Sequence, residues 1–190
     1  MFTKVPSIFK TLDIDWNSFK SDICFKKYYS SARNGGSYFY MIKDYPQFKN
    51  LLKPNIFTIP PDILVYSEFT GGGLVTPHKD TGTQVALNFY IDTDDGITIF
   101  YKDSSNIINS DFRDTINLKY FKNDNNLIEI GRFQAKNKEC YLLDVTQFHG
   151  IQKTSDNPRS MITARWNYHN YAEILNSFNF CLLYTSPSPR

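Results

Sequence analysis

Cysteine is scarce in this 190-residue chain, with Cys24, Cys140 and Cys181 its only three. Three cysteines build no disulfide framework, and no pair stands at the spacing of a thiolate metal site. Long apolar runs are missing too. Nothing approaches the roughly 18 residues that cross a bilayer, and the opening Met1-Phe2-Thr3-Lys4-Val5-Pro6 lacks the apolar centre of a secretion signal. Charge of one sign is also lacking. Twenty-one basic and 19 acidic residues leave a net +2, which gives no strong nucleic-acid signal. The expected compartment is cytoplasmic. Phosphate-loop, Gly-x-Gly-x-x-Gly, Cys-x-x-Cys and Gly-x-Ser-x-Gly motifs are absent.

Aromatic residues are abundant. Thirteen Tyr and 16 Phe contribute to a 41% hydrophobic composition, which excludes a disordered chain and suits pleated, half-buried surfaces. The length fits one domain with a sizeable core, expected over 1–180. The last ten residues, CLLYTSPSPR, continue no earlier pattern. Every codon of a transposase sequencing adapter fits them, so 181–190 reads as an assembly scar and Cys181 leaves the count.

The first third reads as mixed. Asp15 caps an expected helix to about Ser30, with Trp16, Phe19 and Ile23 at helical spacing and Gly35-Gly36 as its stop. A short strand is expected at 38–42 and a short helix at 45–52. From Asp62 onward the pattern is β. Strands are expected at 63–69, 84–91, 97–101, 116–121, 127–130, 139–143, 150–153 and 160–167, with Gly71-Gly72-Gly73 and Asp94-Asp95-Gly96 as turns and 102–114 as loop. In 84–91, Val85, Leu87, Phe89 and Ile91 alternate with Ala86, Asn88 and Tyr90. Many short strands at regular spacing predict a mainly β sandwich or barrel, with the leading helices packed on one sheet.

Histidines number three: His78, His149 and His169. His78 and Asp80 stand two apart on an extended segment and so project to one side. An imidazole and a carboxylate so placed hold two neighbouring vertices of a metal's coordination sphere. His149 follows a strand-like run and can supply a third, leaving open positions as in non-haem Fe(II) oxygenases. Arg159, ten residues on, offers a planar bidentate cation for a carboxylate. Arg165 is the competing cation, and His149's spacing favours Arg159. Tyr66, on the strand before the motif, is either a carboxylate-binding hydroxyl or a core tyrosine. Asn88 and Tyr90 are candidate pocket residues. Asp144 reads as a turn cap or a support for the site, and His169 as solvent-facing.

These residues resemble the Fe(II)- and 2-oxoglutarate-dependent dioxygenases of the double-stranded β-helix fold. The resemblance covers about 63–167 and is nearest to the prolyl 4-hydroxylase-like group, including small members from bacteriophage genomes. His-x-Asp, a distal His and a cation ten positions further match His78, Asp80, His149 and Arg159. Asp95-Gly96-Ile97-Thr98-Ile99-Phe100 is similar to a Gly-Gly-Glu-Thr-x-Phe stretch, with Asp95 for the first glycine and Ile97 for the acid. Met161 stands where many members carry Ser or Thr. Ala86-Leu87-Asn88 is equally similar to the aspartyl/asparaginyl β-hydroxylase-like branch.

The resemblance implies a jelly-roll core over about 62–168. It implies Fe(II) on His78, Asp80 and His149, with 2-oxoglutarate and O2 as co-substrates and ascorbate as an open addition. Arg159 would hold the far carboxylate of 2-oxoglutarate, with Tyr66, Arg165 and Asn88 as further candidate contacts. The reaction would be hydroxylation of a small molecule or peptide, of prolyl or other side-chain type, coupled to succinate and CO2 release. If the gene is viral, the compartment is the host cytoplasm. The alternatives are a cupin-like metal enzyme without 2-oxoglutarate and a non-catalytic binding module.

Overall fold

The computed structural model describes all residues except 11–13, 33–34, 43–44, 54, 71–72, 94–95, 104–111, 115–117, 122–126, 154, 156, 158 and 179–190. The Gly71-Gly72 and Asp94-Asp95 turns, most of the 102–114 loop and the terminal 181–190 segment therefore lie outside the described residues.

In chain order the elements are β1 (Phe2–Val5), α1 (Trp16–Ile23), β2 (Cys24–Ala32), β3 (Gly35–Ile42), α2 (Tyr45–Leu51), β4 (Ile63–Thr70) and β5 (Gly73–Asp80). There follow β6 (Val85–Asp92), β7 (Ile97–Asp103), β8 (Phe112–Asp114), β9 (Leu118–Phe121) and β10 (Leu127–Gln134). The last are β11 (Cys140–Asp144), β12 (Phe148–Lys153), β13 (Arg159–Trp166) and α3 (Tyr171–Ser177). One sheet runs β1-β11-β6-β13-β4-β3-β2 and the other β10-β7-β12-β5-β9-β8. All paired strands are antiparallel. From β4 to β7 and again from β10 to β13 the chain alternates between sheets, which winds it into a double-stranded β-helix. No described helix is long and apolar enough to cross a membrane.

Strand alternation gives the seven-stranded sheet two apolar faces. Leu87, Phe89, Ile162, Ala164 and Trp166 face one cluster with Phe19 of α1, Phe48 of α2 and Ile174 of α3. Ala86, Tyr90, Leu143 and Met161 face the other cluster, inside the barrel, with Phe100 of the opposite sheet. Helices covering one sheet, as expected, thus follow from strands that are apolar on both sides.

Three local expectations are corrected. Asp15 does cap α1, its carboxylate accepting from the amides of Asn17 and Ser18 at 3.1 and 3.3 Å. The helix ends at Ile23, however, because Cys24–Ala32 pairs with Gly35–Ile42 as a hairpin. Gly35 and Gly36 therefore open a strand rather than stop a helix. β1, α3 and β8 were not expected, and β8 falls within the stretch expected as loop. α3 carries an Asn170–Glu173 capping box, and β1 closes the sheet edge on β11.

Candidate metal centre

The site begins with an irregularity in β5. His149 pairs with His78 and Ile151 with Val75, so β5 carries one extra residue between the two pairs. Pro77 lies in that bulge, where its missing N–H costs no ladder bond. Gly150 lies against it. A Cβ there would come within 2.7 Å of the Val75 carbonyl oxygen and 3.4 Å of the Pro77 nitrogen. Glycine thus lets β5 press onto β12, and the bulge turns His78 toward its cross-strand partner.

The result is one cluster. His78, Asp80 and His149 each offer a ligand atom, and these atoms lie within 4.8 Å of one another. His78 Nε2 is 3.7 Å from Asp80 Oδ1, and the two imidazole centroids are 4.4 Å apart. Both histidines are 8% exposed. The His149 Nδ1–H donates to the Gln147 carbonyl at 3.0 Å, which leaves Nε2 with its lone pair toward the cluster. Phe100 stacks on the His149 ring at 5.7 Å and shields it. Two neutral imidazoles and a carboxylate on one side of an ion suit a first-row divalent metal with open positions. The donor set therefore fits ferrous iron.

Arg159 is wholly buried. It starts β13 and reaches across the barrel, Nη2 donating to Thr98 Oγ1 of β7 at 3.0 Å. Its guanidinium lies 4.9 Å from the Tyr90 ring centroid. Nε and Nη1 have no hydrogen-bond partner among the described residues. A buried unsatisfied donor costs about 1–3 kcal/mol, and more when charged, so this geometry suits an anion as partner. Gly96 gives it room, because a Cβ there would sit 2.7 Å from Arg159 Nη1. Thr98 is two residues along β7 from Phe100, the residue paired with His149. Two residues of strand measure about 7 Å, a step that a short dicarboxylic acid spans.

The remaining candidates divide by strand face. Arg165 shares the interior face with Arg159, yet lies opposite Ala86 and Ile63 at the other end of β13. Asn88 is interior as well, accepting from Thr163 Oγ1 at 2.8 Å and donating to the Tyr90 hydroxyl at 3.4 Å. Tyr66 is not brought to the site. It pairs with Ile162, belongs to the helix-side cluster and donates to Glu68 Oε1 at 3.1 Å. Burial, and then the Glu68 charge, push its hydroxyl pKa well above the usual range. It is a core tyrosine on the wrong face of the sheet. Asp144 caps its own turn by accepting from Thr146 N and Oγ1 at 3.2 and 2.5 Å. His169 stands beyond β13, with its side chain 41% exposed and Nδ1 3.5 Å from Glu173.

Sequence reasoning did not single out Gly96, Thr98, Phe100 and Gly150 as site residues. Their signal was the stretch around Gly96 and the His149-Gly150 pair, but the contacts each makes depend on cross-strand register.

No family model matches this sequence, and no curated protein matches it. Solved structures share its fold. The epimerase SnoN, in complex with Fe3+, alpha-ketoglutarate and nogalamycin RO, superposes with a TM-score of 0.55 at 12% identity, over 86% of this chain and 77% of that one. An oxidoreductase of the 2OG-Fe(II) oxygenase family from Burkholderia pseudomallei gives 0.51 at 7% identity, over 82% and 78%. Vicilin from Capsicum annuum gives 0.41 at 12% identity over 74% of this chain, which spans 30% of vicilin's length. The first two likenesses show the double-stranded β-helix fold.

Proposed function

We propose that this chain is an Fe(II)- and 2-oxoglutarate-dependent oxygenase. The observation that carries the reading is the pairing of two sites on one interior. A His-His-Asp cluster pairs through His149 with Phe100, two strand residues from Thr98, which holds a buried arginine with two donors unpartnered among the described residues. A neighbour of the same fold carries Fe3+ and alpha-ketoglutarate, which supports the reading.

His78, Asp80 and His149 would hold the iron, and Arg159 with Thr98 would hold the far carboxylate of 2-oxoglutarate. When bound, iron and 2-oxoglutarate supply O2 activation coupled to formation of succinate and CO2. The chain's own contribution is placement. The Gln147 carbonyl keeps His149 in the tautomer that presents Nε2. Phe100 walls the interior beside that ring and excludes water. Tyr90 lies beneath the guanidinium, where its π-face stabilises the cation before an anion arrives. The reaction is proposed as hydroxylation. The likeness of the motifs to the prolyl 4-hydroxylase-like group favours an amino-acid side chain, free or in a peptide, as the group oxidised.

The test is 2-oxoglutarate turnover by full-length protein given Fe(II), ascorbate and air. Succinate should form slowly without added substrate and disappear in His78→Ala and Arg159→Met. Tight metal binding without any affinity for 2-oxoglutarate would instead indicate a cupin-like metal enzyme on the same barrel.

A further inference from the structure

We propose that Arg165 anchors an anionic group of the substrate, a carboxylate or a phosphate, at the metal end of the barrel. This rests on the reading of the metal and 2-oxoglutarate sites given above. Four observations lead to it.

Arg165 faces the barrel interior. Its cross-strand neighbour Ala86 belongs to the interior cluster, as does Met161 on its own strand. It also stands at the end where the metal ligands converge. Asp80 N donates to the Val145 carbonyl at 3.2 Å, and Val145 N donates to the Gln84 carbonyl at 3.1 Å. Val145 and Gln84 each adjoin the β11–β6 pairing of Asp144 with Val85. Arg165 pairs with Ala86, two residues along β6 from Gln84, so it stands two rows from the level at which the Asp80 backbone joins the sheet, with β6 between β13 and β11.

Its hydrogen bonding is incomplete. Nε is buried without a partner, and the side chain makes no hydrogen bond or ion pair with a described residue. The interior residues flanking it, Ala86, Leu143 and Val145, are apolar, and the Asp80 carboxylate is counted among the metal ligands. A guanidinium has five donors and no acceptor, so an anion is the partner its chemistry asks for. The polar pair between the two arginines, Thr163 and Asn88, is satisfied internally.

Arg165 also differs from Arg159 in access. Arg159 is fully buried, whereas Arg165 is half-buried. Six strand residues, about 20 Å of backbone, separate them. Arg159 is therefore placed for a molecule enclosed in the barrel, and Arg165 for one arriving from solvent beside the metal.

The test uses full-length protein loaded with Mn(II) in place of iron, with 2-oxoglutarate, under nitrogen. Two sets of matched probes are compared by thermal shift and then calorimetry: free L-amino acids against their carboxamides, and nucleoside 5′-monophosphates against nucleosides. Wild-type protein should bind at least one acid about tenfold more tightly than its neutral counterpart, and the set that responds identifies carboxylate or phosphate. Arg165→Gln should narrow that ratio to about twofold, and Arg165→Lys, which keeps the charge without the fork, should fall between. Equal binding of acid and neutral probes in both sets would overturn the assignment. So would an Arg165→Gln protein whose 2-oxoglutarate affinity falls about tenfold or more, which would make Arg165 a co-substrate ligand. Failure of the underlying reading looks different: wild-type protein would then bind no Mn(II) or no 2-oxoglutarate.

Discussion

Gly150→Ala is the sharpest probe of how the metal cluster is built. The new methyl carbon would lie 2.7 Å from the Val75 carbonyl oxygen, 3.4 Å from Pro77 N and 3.5 Å from Pro77 Cα. The nearest of these atoms is backbone, so no rotamer change relieves the clash. Ordinary contact needs several tenths of an ångström more, and β5 must retreat from β12 over the bulge that aims His78. Overpacking of this kind costs about 1–3 kcal/mol. For a domain of this size that lowers the melting midpoint by about 2–4 °C per kcal/mol. The same displacement separates His78 from His149, and a metal affinity lost at 1.4 kcal/mol per decade should fall about tenfold or more. Calorimetric Mn(II) titration and thermal melts of the wild-type and variant proteins read both effects. A variant that matches wild type in midpoint and Mn(II) affinity would show that β5 does not press on Gly150, and the account of the bulge would be wrong.

Other consequences are independent of that strand. Arg159→Met should weaken 2-oxoglutarate binding by about 2–5 kcal/mol yet leave the melting midpoint unchanged or higher. Replacing a buried cation that lacks full compensation by an apolar side chain is often neutral or stabilising, and a large fall in midpoint would contradict the unpartnered donors. Gly96→Ala, whose Cβ would crowd Arg159 Nη1 at 2.7 Å, should weaken 2-oxoglutarate while sparing Mn(II), as separate titrations would show. Burial pushes the Cys140 thiol up to about 12. Its folded-state pKa is raised, so at pH 8 only about one thiol in ten thousand is thiolate. Site-resolved mass spectrometry should find it unmodified by a thiol reagent until the protein unfolds. Asn170→Ala should cost about 1 kcal/mol through loss of the α3 cap, measured by denaturant unfolding.

The sequence carried the parts of this site that depend on spacing. His78 and Asp80 project together because strands alternate, and the strand around Val85 to Ile91 showed its two faces in its own residues. What spacing does not carry is the pairing of distant strands. Tyr66 was a reasonable candidate until Ile162 set its register and turned it toward the helices. Arg159 and Arg165 share a face and stand at opposite ends of one strand by spacing alone, but only the partners Phe69 and Ala86 show which end each occupies. The cross-barrel bond from Arg159 to Thr98 joins residues 61 apart and leaves no local trace. The residues after Ile23 keep some helical spacing, whereas their pairing with β3, which ends α1, is invisible locally. The Asn170–Glu173 box is a start signal present in the sequence for the short α3.

The central claim is that His78, Asp80 and His149 share one ion. Mn(II) titration of the wild-type protein, followed by calorimetry and by the electron spin resonance of the free ion, tests it directly. The account predicts one ion per chain, with affinity reduced about a hundredfold or more in each of His78→Ala, Asp80→Ala and His149→Ala, where a ligand bond and its ordering are lost together. Wild-type affinity in any one of these folded variants would contradict it.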